Sequence, residues 1–196
     1  MDNYGVKSAF FVGEDFENLL FKVNLQLAMK LIFCFPSFTL QTSILYAEAG
    51  FNVWYISFFP FETIPDNIII PERDVLNLIT FIYLKDYTRL ISHLNTTHLW
   101  HKPPRIILMS GFEKYSGIDE DTYDPIFGAL IATTLLNACS VASKKLNVVT
   151  YAVITCEKLK NHEIRLNILR NLYFQNMYFY LKYDDMFKII SSLEIE

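Results

Sequence analysis

Dense apolar runs alternate along this chain with segments of helical spacing, and that alternation predicts an α/β domain with a mostly parallel central sheet. Residues 30 to 57 set the pattern. Lys30 to Phe35 reads as a strand buried on both faces, Phe35 to Thr42 as an eight-residue turn, and the next stretch as a short helix stopped by Gly50. Asn52 to Ser57, with its VWYI core, reads as the second strand. Phe58 to Pro71 holds three prolines and is expected to be irregular. Leu78 to Leu84 is strand-like, and Asp86 is placed to cap a helix with Tyr87, Leu90, Ile91 and Leu94 on one face.

After Pro103 and Pro104 comes a short apolar strand, Arg105 to Met109. Pro125 opens a helix running to about Lys145, with Ile126, Leu130, Ile131, Thr134, Ala138 and Val141 at helical spacing. A strand over 148 to 154 follows, then a basic helical stretch near 159 to 172. Two closing strands, around 173 to 182 and 186 to 191, are joined by Tyr183 to Asp185 and expected to pair antiparallel. No repeat, low-complexity tract or linker interrupts the 196 residues, which read as one domain, with 1–29 an N-terminal extension packed on a core of 30–196.

The turn at Phe35 to Thr42 changes the picture, because a strand, an eight-residue turn and a helix form the frame of a phosphate-binding loop. A working GxxxxGK[ST] loop needs glycines so that backbone N–H groups can approach phosphate, a lysine for the β- and γ-phosphates, and a hydroxyl for Mg²⁺. Here Phe35 and Leu40 stand at the glycine positions and Gln41 at the lysine position; the hydroxyl, Thr42, remains. The strand after the two prolines, IILMSGFEKY, offers the second half of such a site. Where a magnesium-holding aspartate belongs, the chain has Ser110, with Glu113 three residues on. With both halves changed, Phe35, Leu40, Gln41, Thr42, Ser110 and Glu113 form a vestigial nucleotide site, and no catalysis, ATP, Mg²⁺ or other cofactor is expected.

Composition and charge bound the partners. An apolar content of 52% and an aromatic content of 16% exceed the usual apolar share of about 45–50%. Lys30 and Pro36 interrupt the best membrane-helix candidate, so the excess apolar surface is expected to meet a protein rather than a bilayer. The N-terminus, with acids close behind a short apolar patch, does not read as a secretory signal. Cys34, Cys139 and Cys156 are too scattered for a disulfide framework and read as reduced core thiols. The net charge of −4 gives no global attraction for nucleic acid, yet Lys144, Lys145, Lys158 and Lys160 mark a basic C-terminal third that is a candidate DNA contact. A solvated helix face is the competing reading.

The order of these parts resembles a RecA-like recombinase paralogue, and more closely the small ATPase-like subunit of the animal Shu complex. LIFCFPSFTLQTS stands as a decayed phosphate loop, followed by LITFIYLKDYTRLISHL, RIILMSGFEKY, FGALIATTLLNACSVASKKL, VVTYAVI and ILRNLYFQNMYFYLKYDD, over roughly residues 30 to 185. The resemblance implies a RecA-like P-loop core with helices flanking the sheet and C-terminal antiparallel strands. It also implies a nuclear, non-catalytic subunit of a hetero-oligomer with a SWIM-domain zinc-finger protein. Such a subunit promotes assembly or stability of RecA-family recombinase filaments on single-stranded DNA in homologous recombination. Two alternatives stay open: a divergent P-loop ATPase using Thr42 and Glu113, and a structural subunit of an Elongator-type assembly.

Smaller constellations carry less. Tyr46 and Ala49 echo the aromatic-x-x-Ala motif by which recombinase protomers dock, although packing of Tyr46 on the sheet accounts for it equally simply. His98 and His101 lack neighbours to complete a tetrahedral metal set. The aromatics of 176 to 183 suit either base stacking or strand packing.

Overall fold

A computed structural model describes residues 7–13, 35–61, 63–64, 68–156, 163–174 and 176–180. Its centre is an all-parallel sheet of β2 (Val53–Ser57), β3 (Ile79–Tyr83), β4 (Ile106–Ser110) and β5 (Tyr151–Cys156), to which β1 (Lys7–Gly13) and β6 (Asn176–Tyr180) add on one side. The full order is β3-β2-β4-β5-β1-β6.

Helices cover both faces. On one lie α1 (Phe35–Glu48) and the single turn α2 (Arg73–Leu76). On the other lie α3 (Tyr87–Asn95), α4 (Phe112–Ser116), α5 (Pro125–Leu146) and α6 (Glu163–Tyr173). The alternation of strand side chains sorts the core accordingly. Val53 and Tyr55 join Leu40, Ile44, Leu108 and Val153 under α1, whereas Trp54 and Ile56 join Leu90, Met109, Ile131 and Ile154 under α3 and α5.

Local signals explain several boundaries. Gly50 takes φ +86 and closes α1, a conformation that an L side chain resists. Asp86 accepts a hydrogen bond from the Arg89 N–H at 2.8 Å, and Asp124 accepts one from Ile126 at 2.9 Å with Pro125 starting the first turn. α5 is long and apolar enough to cross a membrane by length and composition; in this fold half of that length is buried, with Gly128, Ile131, Leu135 and Ala138 facing the core.

Three expectations are corrected. Residues 35 to 42 do not form a turn but lie inside α1, since no glycine interrupts Phe35–Glu48 and Pro36 is compatible with a helix's first turn. The N-terminal segment is not only a packed extension, because Lys7–Gly13 enters the sheet between β5 and β6. The strand expected over 148 to 154 begins at Tyr151, because Asn147 takes φ 57 to cap α5 and the Thr150 N–H is used by the Ser143 hydroxyl at 2.8 Å. The C-terminal strand β6 pairs parallel with β1, and its expected antiparallel pairing with a strand over 186 to 191 falls outside the described residues. The strand expected over 186 to 191 lies outside the described residues, as does that over Lys30 to Phe35 except for Phe35, which begins α1.

Candidate functional site

Loops leaving neighbouring strands for opposite faces open a crevice at the strands' carboxyl ends, the usual ligand position in a doubly wound sheet. β2 and β4 are such a pair: β2 leads to α2 on one face and β4 to α4 on the other. Between their ends lies a cleft of about 160 Å³, lined among others by Tyr55, Ser57, Phe58, Phe59, Ser110 and Glu113. Small-molecule sites usually enclose roughly 300–1,000 Å³, so this cleft is smaller than most.

Tyr55 occupies the centre. Its ring rises from β2 under α1, is almost wholly buried, and packs against Phe61 at 5.3 Å and Phe81 at 5.6 Å between centroids. The hydroxyl meets Thr39 Oγ1 at 3.1 Å, and the Ser110 and Ser57 hydroxyls lie near enough to favour its ionised form. Burial pushes the phenol up to about 12; the three hydroxyls offset only part of that. The phenol therefore stays neutral and joins the helix of the expected phosphate loop to β2.

The strand-to-helix turn beside it is set by Gly111, whose φ of +77 lets β4 pass directly into α4. That turn carries Glu113, 1% exposed, back against the site, its Oε1 lying 3.6 Å from where a Gly111 Cβ would stand. Lys114, the cation at the cleft, pairs with Asp119 at 4.0 Å.

Of the expected site residues, the structure brings Ser110 and Glu113 together at this cleft and leaves Leu40, Gln41 and Thr42 out of its lining. Leu40 packs in the core under α1, Thr42 is buried, Gln41 is half-buried, and Phe35 begins the helix. Tyr46 is 2% exposed with its ring 6.4 Å from Phe51, so it offers nothing to a docking protomer; Ala49 is exposed.

Among the lysines proposed for DNA, Lys145 is already engaged within the fold. Its Nζ donates to the carbonyls of Trp100 at 2.6 Å and His98 at 2.8 Å. Lys144 is exposed, and Lys158 and Lys160 lie outside the described residues. His98 Nδ1 bonds the Asn95 carbonyl at 2.9 Å, and no group of metal-ligating side chains forms among the described residues.

Sequence reasoning missed Tyr55 because every neighbour in VWYIS is also apolar or small. The one available clue was a phenol in a strand buried on both faces, which must find a polar partner. It also missed an aromatic cluster at the other end of the sheet. His93 sits 4.9 Å from Trp54 and 5.3 Å from Trp100, with its Nε2 buried and without a hydrogen-bond partner. Burial there pulls the imidazole below its ordinary pKa.

No protein-family model matches the chain, and no curated protein matches it in sequence.

Proposed function

We propose that the chain is a non-catalytic, RecA-like subunit that supports homologous recombination by promoting recombinase filament assembly or stability on single-stranded DNA. It does so as the partner of a SWIM-domain zinc-finger protein in a nuclear, Shu-type complex. The observation that carries the non-catalytic part is Tyr55. Its buried phenol bonds Thr39 beside Ser110, where an ATPase of this design would keep phosphate and Mg²⁺. An all-parallel sheet with helices on both faces, and a cleft at the carboxyl ends of β2 and β4, agree with the RecA-like reading.

In this reading the former nucleotide site is structural, and binding surfaces carry the function. Lys144 remains a candidate for contact with the DNA backbone, and Lys145 is withdrawn because its ammonium holds two carbonyls of its own chain. The test is affinity capture of the tagged chain from germline cells. Recovery of a SWIM-domain zinc-finger protein together with a RecA-family recombinase is the expected result. Recovery of Elongator subunits in their place overturns the reading.

A further inference from the structure

A surface helix usually turns polar residues to water opposite the face it buries. α6 does not. Leu166 and Leu169 are buried against the core, yet Ile164, Ile168 and Leu172, spaced four apart on the other side, are 77%, 54% and 68% exposed. α5 does the same near its start, where Ile126 is 71% and Leu130 42% exposed.

These residues belong to one surface. Arg165 stacks on Tyr123 at 5.0 Å and donates to the carbonyls of Ile118 and Glu120, so α6 begins beside the start of α5. Four residues on, Leu169 meets Gly128 so closely that a Cβ there would lie 2.8 Å from Leu169 Cδ1. The two helices therefore run in the same direction, which sets Ile126 and Leu130 level with Ile168 and Leu172. An apolar strip this long is more than scattered surface hydrophobes explain.

Charge at one end of the strip indicates its occupant. The loop before α5 carries Asp119, Glu120 and Asp121, all exposed. Lys114 pairs with Asp119, while Glu120 and Asp121 form no ion pair among the described residues. Arg165, close to this loop, is committed to carbonyls and to the Tyr123 ring.

We infer that the outer face of α5 and α6 docks an amphipathic helix of a partner protein, its apolar stripe on Ile126, Leu130, Ile164, Ile168 and Leu172 and basic residues toward Glu120 and Asp121. This is helix-in-groove recognition with a charged end that fixes direction. It stands independently of the recombination reading.

The test uses the full chain and a fluorescent synthetic helix of about 15 residues, with leucine at helical spacing and lysine elsewhere. A second peptide carries glutamate for lysine. Anisotropy should show saturable binding of the leucine–lysine peptide and none of its acidic counterpart. The double variant Ile164→Glu/Ile168→Glu, and the milder Ile168→Ser, should weaken binding by about tenfold or more without lowering the melting temperature. Glu120→Gln/Asp121→Asn should weaken it several-fold and flatten its salt dependence.

The Ile→Glu pair makes the discrimination sharp, because it adds negative charge: attraction to acidic surface alone would tighten binding. Tighter or unchanged binding overturns the proposal, as does equal binding of the acidic peptide or no binding at all. Concentration-dependent dimers abolished by Ile168→Ser would assign the face to a second copy. A monomer destabilised by that same change, and indifferent to the peptide, would assign it to the chain's own residues. Both results overturn the proposal.

Discussion

Replacing Tyr55 with phenylalanine removes one oxygen from the cleft between the ends of β2 and β4 and leaves the ring in place. At neutral pH the loss is one buried hydrogen bond to Thr39, worth about 1 kcal/mol net. For a chain of this size that lowers the melting temperature by about 2–4 °C. Alkaline pH reverses the order. The phenol is pushed up to about 12 by burial, against about 10 in the unfolded chain, so the unfolded state releases its proton first.

The sign follows from linkage. Stability from the neutral, buried phenol is fully present below pH 10 and is lost as pH rises through about 12. At pH 11 the wild type has given up about 1.4 kcal/mol at this residue, whereas Tyr55→Phe has nothing there to lose. Urea unfolding from pH 7.5 to 11 should therefore show the wild type more stable at first and the two curves crossing near pH 11. Tyr115 is also raised, chiefly by burial and in part by Tyr55, so both proteins are compared in a Tyr115→Phe background. Parallel curves across the range would refute the buried phenol. Tyr55→Ala should cost about 3–5 kcal/mol, because a cavity opens under α1.

His93 and Lys145 give two further tests. Both tryptophans of the chain contact His93, so intrinsic fluorescence should titrate with a midpoint below 6.5; stability should be full above pH 6.5 and fall as pH drops toward the folded pKa. His93→Gln should abolish the fluorescence step, and a midpoint at or above 6.5 would contradict the burial. Lys145→Gln should cost about 1 kcal/mol, discounted for exposure, and alter Trp100 emission; Lys144→Gln should change neither property, and equal effects would remove the structural role of Lys145.

Elements were legible in the sequence where their signals are local. Gly50, Asp86 and Pro125 each fix a helix boundary by their own backbone or side-chain chemistry, and β2, β3 and β4 stand out as short apolar runs. Assembly was less legible. KSAFFVG is no more apolar than a dozen other stretches, and its place between β5 and β6 depends on pairings from the far end of the chain. The segment 35 to 42 fits both a loop frame and a helix, and the missing glycines, read as lost chemistry, equally allow α1 to start at Phe35.

At the site, Ser110 and Glu113 were identified because their places follow from the strand β4 alone. Tyr55 was not, since a buried tyrosine and a plug in a ligand site look the same until the packing is known. Lys145 illustrates the reverse error: a lysine on a basic stretch suggests a nucleic-acid partner, whereas its amine serves carbonyls some 45 residues away.

Nucleotide binding tests the central claim most directly. A protein holding ATP·Mg²⁺ with a dissociation constant one hundredth of the ligand concentration gains about 2.7 kcal/mol, a rise of roughly 5–10 °C in melting temperature here. The proposed non-catalytic reading predicts no shift of the purified chain at millimolar ATP·Mg²⁺. A saturable rise that disappears on chelating Mg²⁺ would contradict it.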